Sequence, residues 1–256
     1  MKTIKTLTII PLLFFALTAW ADSEAGMPHL LFQQANAAYD SGDYAQAVEL
    51  YNKIADNGYD SWELRYNLGN AYYRLDETGL SILNYERALR MAPGKKTIKD
   101  NLALARSHTA DNIEELPRPF LLDWIDAVTG IMPLRGWLVT VVILVILGCA
   151  ALSIFLIAKE YRIRRSLFVV SMTLLLLIVL SVIGAAISAH HATNDKEAII
   201  TAPLVVVKGS PDAKSVDKFV LHEGTKISIG DEQDEWWQIE IADGKSGWIN
   251  GGAERI

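Results

Sequence analysis

The chain has 256 residues, 21% of them charged, and a net charge of −6, yet its mean hydropathy is positive, so long apolar blocks must alternate with polar ones. Residues 22–136 carry 17 acidic and 11 basic side chains and residues 190–256 carry 12 and 7; two mildly acidic parts exclude nucleic acid as a partner, because phosphate binding needs clustered Lys and Arg. The only cysteine, Cys149, lies inside an apolar run, which excludes an intrachain disulfide and a zinc cluster.

The N-terminus reads as a secretory signal peptide spanning residues 1–21. Lys2 and Lys5 form its charged start, residues 7–18 its apolar stretch, and Ala19-Trp20-Ala21 an A-x-A cleavage site. The alternative is an uncleaved signal anchor; in either case Asp22 onward faces outward.

Residues 28–94 repeat at a period of 34: Asn36 aligns with Asn70, Tyr39 with Tyr73 and Tyr51 with Tyr85. Small residues (Ala35 and Gly69, Ala47 and Ser81, Ala88) fall where two helices of a hairpin touch. Gly42-Asp43 makes a tight turn and Pro93 ends the last helix. Asn67-Leu68-Gly69-Asn70-Ala71-Tyr72-Tyr73 and Tyr85-Glu86-Arg87-Ala88-Leu89 with Pro93 resemble the tetratricopeptide repeat family. The resemblance implies an α-helical solenoid over 28–112, with repeats at 28–61 and 62–95 and a capping helix at 96–112. The second turn, Asp76-Glu77-Thr78-Gly79, departs from the family's Gly-Asp-Tyr, so an irregular turn is expected there. The family binds peptides and proteins in a concave groove. That implies partner-binding positions at Asn36, Tyr66, Asn67, Asn70, Tyr73 and Arg74, flanked by Phe32 and Gln33. Phe32 stands where a carboxylate clamp needs Lys.

Residues 119–132 read as a short amphipathic helix in the outer membrane interface, with Phe120, Trp124, Ile125, Val128 and Ile131 on roughly one side; docking under the repeat domain is the competing expectation. Two uncharged apolar runs follow, 137–158 and 166–189, each long enough to cross a hydrocarbon core of about 30 Å. Between them, residues 159–165 hold four basic side chains and one acidic, which puts this loop in the cytoplasm. A two-pass protein of the inner (cytoplasmic) membrane is expected, with both soluble domains in the periplasm. Ser181, Ala185 and Ala189, with Gly184 and Ser188 beside them, form a stripe of small residues for close helix packing. The first span is its expected partner.

From residue 196 the pattern becomes five or six short strands separated by turns, including an Asp243-Gly244 hairpin, which predicts a small all-β barrel over 196–256. Ser210-Pro211, Gly224, Trp237 and Gly247-Trp248 resemble the bacterial SH3 family. Members bind cell-wall peptides or dock proteins, which implies ligand-binding positions at Trp236 and Trp248. Neighbours on a strand face opposite ways, so Trp237, sharing a face with Ile239 and Ile241, is the expected core residue.

No nucleophile elbow, phosphate loop or metal motif stands in the sequence. His190 and His191, adjacent on a helix, point about 100° apart and do not chelate. The expectation is a non-enzyme without catalytic residues, metal or cofactor. The whole order of segments resembles the E-type proteins of the Bacteroides aerotolerance operon. That implies a scaffold in aerotolerance or envelope stress, with von Willebrand A-domain membrane proteins and, indirectly, a MoxR-type ATPase as partners. Membrane lipid and peptidoglycan complete the expected contacts. The alternative function is a peptidoglycan-binding module acting through the SH3-like tail.

Overall fold

The computed structural model describes residues 26–111, 113, 116, 119–194 and 196–256; the signal peptide expected at 1–21 lies outside them. The chain divides after Asp60 into two units.

The first unit is a helical hairpin of α1 (Gly26–Asp40) and α2 (Tyr44–Asp56). Gly42 closes the turn with φ +86°, which an L side chain adopts only at a cost. Asp43 caps α2 by accepting from the Gln46 amide at 3.1 Å. Ala35, Ala47 and Tyr51 are buried between the helices.

The second unit begins with the matching pair α3 (Trp62–Arg74) and α4 (Thr78–Met91), followed by α5 (Lys96–Arg106). Ser61 caps α3, accepting from the Leu64 amide at 3.2 Å. Gly69 lets the two helices close: a Cβ there would lie 2.6 Å from the Tyr85 ring. The turn between them is not irregular. Asp76 takes φ +65°, the left-handed region that Gly42 occupies one repeat earlier, and Asp is one of the few residues that tolerates it.

The residue after this turn meets the C-terminal sheet. Gly79 abuts the backbone of the C-terminal sheet, and a Cβ on it would be 2.9 Å from the Ile200 carbonyl oxygen. Helix α4 is buried nearly all round, Ile82, Leu83, Asn84, Tyr85 and Glu86 included. A helix packed on one side only has an exposed stripe; here α3, α5 and the sheet cover different sides.

That sheet has seven antiparallel strands, β1 (Glu197–Ile200), β2 (Leu204–Lys208), β3 (Asp217–His222), β4 (Lys226–Gln233), β5 (Trp236–Ile241), β6 (Ser246–Asn250) and β7 (Ala253–Arg255), in the order β3-β2-β6-β5-β4-β1-β7. Five or six were expected. The addition is β7, three residues that complete the pairing of β1. The core holds Ala198, Ile200, Val207, Leu221, Ile227, Ile239 and Ile249. Trp237 packs against it half-buried. Alternation along β1 sends Ala198 and Ile200 into this core and Ile199 the other way, into the cluster of Ile82, Leu83, Tyr85, Ile98 and Leu102. One strand thus serves two cores.

Between the repeats and the sheet lie α6 (Phe120–Thr129), α7 (Leu134–Ile157) and α8 (Tyr161–Asn194). Both α7 and α8 are long and apolar enough to cross a membrane. Trp137 packs on Gly184, Gly148 on Ile178, and Phe155 on Phe168, the order of an antiparallel hairpin. Ser181 and Ala185 of the small-residue stripe are buried. Helix α6 packs on α8 and leaves Phe120 and Trp124 exposed. Just beyond it, the Ile131 carbonyl oxygen lies against Gly94 at the end of the second repeat.

The helices differ from the expected spans at their ends. The connection is only residues 158–160, and Arg162, Arg164 and Arg165 ride on the first turns of α8. Loss of apolarity marks where a helix leaves hydrocarbon, not where its hydrogen bonding stops, and arginine is a good helix former.

Candidate functional site

Two of the three 34-residue pairs, Asn36 with Asn70 and Tyr51 with Tyr85, correspond to a bracket built twice. In the first repeat the Tyr51 hydroxyl donates to Asn36 Oδ1 at 2.6 Å; in the second, Tyr85 donates to Asn70 Oδ1 at 2.7 Å. Each bond ties the first helix of a repeat to the second. Asn70 Oδ1 also accepts from Asn101 Nδ2 at 3.0 Å, and Asn101 Nδ2 lies 3.0 Å from the Tyr66 hydroxyl oxygen, to which it donates as well. Tyr66 stacks at 5.9 Å on Tyr85, and Tyr73 stands edge-on to His108 at 5.7 Å. Of the positions expected to line a groove, Tyr66, Asn70 and Tyr73 therefore gather where α3 meets α5 and the segment after it. Asn67 is half-buried on α3, and Arg74 is exposed at its end. Asn36 belongs to the first unit.

Tyr85→Phe is expected to destabilise the full chain by about 1 kcal/mol, the usual net worth of one such bond. Asn70→Ala, which strands both Tyr85 and Asn101, should cost more, about 1–3 kcal/mol. Chemical unfolding of the full chain measures both; equal, negligible losses would contradict the bracket.

On the sheet, Gln238 pairs with Trp248 and Trp236 with Asn250. Trp236, Gln238, Trp248 and Asn250 thus share the face opposite Ile239 and Ile249. Trp236 and Trp248 are diagonal neighbours there, both half-buried. In the acidic stretch of residues 231–235, Glu232 accepts from Arg255 at 2.7 Å and has Lys196 at 3.8 Å. Arg255 also lies over the Trp237 ring at 5.1 Å. Among the described residues no three His, Cys, Asp or Glu side chains gather as a metal-holding group.

The densest electrostatic arrangement joins the second repeat to the sheet. Glu86, almost fully buried on α4, pairs with Arg106 and has Lys226 at 3.6 Å. Lys226 bonds Glu197 at 2.8 Å, and Arg90 reaches the same carboxylate at 3.1 Å. Beyond α5, residues 107–111, 113 and 116 form a strap along the sheet. Asp111 accepts from the His222 and Thr225 side chains and the His222 amide, each at 2.7 Å. Ile113 packs on the sheet core, and the Leu116 amide donates to the Ala242 carbonyl at 3.1 Å. Strap and strands enclose a cleft of about 630 Å³ lined by Arg106, Asp111, Glu197, Lys226 and Glu240 among others.

Burial pushes the Asp111 carboxyl up, but hydrogen bonds from the His222 amide, Thr225 and the His222 ring outweigh it and hold it below the usual value. Burial likewise raises Glu197, and Lys226 and then Arg90 more than offset that. Carboxyls depressed on folding add stability that is complete above their unfolded pKa of about 4 and is lost as pH falls through the folded values. The thermal midpoint of the full chain should therefore stay level down to about pH 5 and drop below about pH 4. Asp111→Asn should shorten that acid limb; an unchanged limb would remove Asp111 from the account.

Sequence reasoning did not reach Glu86, Arg90, Arg106, Asp111, Glu197 or Lys226. Each looks like an ordinary surface charge beside its neighbours in the chain. Asn101, which echoes Asn67 in the Asn-Leu pattern of the expected capping helix, bonds the bracket instead.

Two helical hairpins with small residues at the crossing and the same Tyr–Asn bracket in each define a helical-repeat protein. Residues 32–96 match the tetratricopeptide repeat family. Such repeats are protein-interaction modules, so protein partners follow for this part of the chain. No curated protein matches the chain.

Proposed function

We propose that this protein is a non-enzymatic scaffold anchored in the cytoplasmic membrane, with its repeats and sheet on the outer side, recruiting protein partners of the cell envelope. The observation that carries this is the tetratricopeptide match at residues 32–96 on a chain with two membrane-length helices. Packing of β1 on α4 supports the two-pass arrangement, because it requires residues 61–111 and 197–256 to be on one side of any membrane the hairpin crosses. The basic residues at the hairpin tip favour the cytoplasm for the other side. The exposed Phe120 and Trp124 of α6 suit a helix at the outer membrane interface. The finer assignment is an aerotolerance or envelope-stress complex with von Willebrand A-domain membrane proteins and, indirectly, a MoxR-type ATPase. It rests on the resemblance in segment order alone.

The test is in-cell crosslinking and pull-down of the intact protein against an Asn67→Ala, Arg74→Ala variant, which leaves the bracket of Asn70, Tyr85 and Asn101 in place. Envelope membrane proteins recovered only with the intact surface support the scaffold; an identical set from both sinks this site. A second reading takes the sheet as an SH3-like, peptidoglycan-binding domain, favoured by Trp236 and Trp248 on one outward face. Full-length protein absent from a peptidoglycan pellet, or pelleting equally after Trp236→Ala with Trp248→Ala, rules it out.

A further inference from the structure

The tip of the α7–α8 hairpin collects positive charge that the fold does not neutralise. Lys159, Arg162, Arg164 and Arg165 stand within seven residues that contain one acid, Glu160. Among the described residues none of the four has a carboxylate partner. Three of them, with Tyr161, Phe155 and Phe168, line an open pocket of about 410 Å³ between the helix ends. That is within the range of roughly 300–1,000 Å³ typical of small-ligand sites. The Phe155 and Phe168 rings pack at 6.5 Å, and the Arg164 guanidinium lies over Phe155, 5.2 Å from its centre. A guanidinium stacked on a ring keeps its in-plane N–H donors available, in the planar fork that suits a phosphate.

We propose that this pocket binds the phosphodiester of an anionic phospholipid, with Arg164, Arg165 and Lys159 around the phosphate and the acyl chains along α7 and α8. The site rests on the membrane-spanning reading above. Position selects a lipid over a soluble phosphate. The pocket sits where both apolar helices end, at headgroup depth. Its aromatic wall continues into the exposed Leu152, Leu156 and Met172, a surface an acyl chain covers and a free anion leaves bare. Basic pockets between membrane helices on the cytoplasmic side are suited to such headgroups. Bringing three cations together is unfavourable by itself, and a bound phosphate relieves their repulsion.

The experiment has two arms. Alkaline carbonate extraction of membranes holding the full chain comes first: release into the soluble fraction would overturn the membrane-spanning reading and this site with it. Native mass spectrometry of the full chain, equilibrated with equal phosphatidylglycerol and phosphatidylcholine, then reads lipid preference. Wild type should retain phosphatidylglycerol preferentially. Arg164→Gln with Arg165→Gln should lose that preference by roughly tenfold, while Lys99→Gln with Lys214→Gln, equal in charge change but elsewhere, should keep it. A protein that stays in the membrane yet retains both lipids alike, or whose preference survives the arginine variant, overturns the pocket alone. So does displacement of the lipid by excess glycerol phosphate, which identifies a site for the free anion.

Discussion

Replacing Gly224 with valine is expected to unseat the sheet from the second repeat and to lower stability by about 2–5 kcal/mol, from two sources that add at one atom. Gly224 holds φ +85°, and a Cβ there would lie 2.6 Å from Thr109 Cγ2 and 2.8 Å from Ile82 Cδ1. Its amide donates to the Ile200 carbonyl at 2.7 Å, so the backbone has no room to retreat without breaking the end of β1. Thr109 opens the strap and Ile82 belongs to α4, so one substitution presses on both attachments of the sheet. Thermal unfolding of the full chain, with limited proteolysis of the 107–118 segment, measures the outcome. A midpoint equal to wild type would mean that the sheet is not seated on Ile82.

Ile199→Ala is the second large effect, expected at about 2–5 kcal/mol for truncating a fully buried isoleucine. Ile199 has 0% exposure and lies in the repeat's cluster rather than that of its own sheet. The loss should therefore appear in the repeat domain although the mutation is in a strand. The transition in which the repeat and the sheet unfold should broaden or split as they lose their shared residue. Pairing Ile199→Ala with Ile82→Ala should give a sum that fails additivity by about 0.5–3 kcal/mol, as for residues within one packed cluster. Strict additivity would separate the two side chains.

What the sequence made readable was periodic. Asn36 and Asn70, Tyr51 and Tyr85, and the small residues Ala35, Gly69, Ala47 and Ser81 stand at one fixed interval, and that interval locates both helical hairpins. Apolar runs located α7 and α8, although not their ends, because Tyr161-Arg162-Ile163-Arg164-Arg165 continues a helix as readily as it ends a span. The 34-residue period shows which positions repeat but not whom they touch. Asn70 read as a groove residue because its partner, Tyr85, is 15 residues away on the next helix. The seam was out of reach for a stronger form of the same reason. Glu86 meets Lys226, Asp111 meets His222, and Ile199 meets Leu83 across more than 100 residues. No local pattern of polarity encodes such a meeting. The clue that did exist was the run Ala198-Ile199-Ile200, apolar on both faces of a strand that an ordinary one-sided sheet would leave half polar.

The placement of Ile199 also fixes an order of assembly. The second repeat emerges from the ribosome well before residue 199, and the two apolar helices α7 and α8 must be made before that residue can arrive. Until then Ile82 and Leu83 lack the side chain that covers them, Glu86 has Arg106 but lacks its second cation Lys226, and Arg90 lacks Glu197. The repeat therefore reaches its final packing only once the C-terminal strands are made and, on the two-pass arrangement proposed above, only when the hairpin returns them to the same side. A chain stopped before β1 or, on that arrangement, inserted with its tail on the wrong side keeps an apolar patch on α4 open to proteases and chaperones. Maturation of the interaction surface is in this way tied to correct delivery of the last sixty residues.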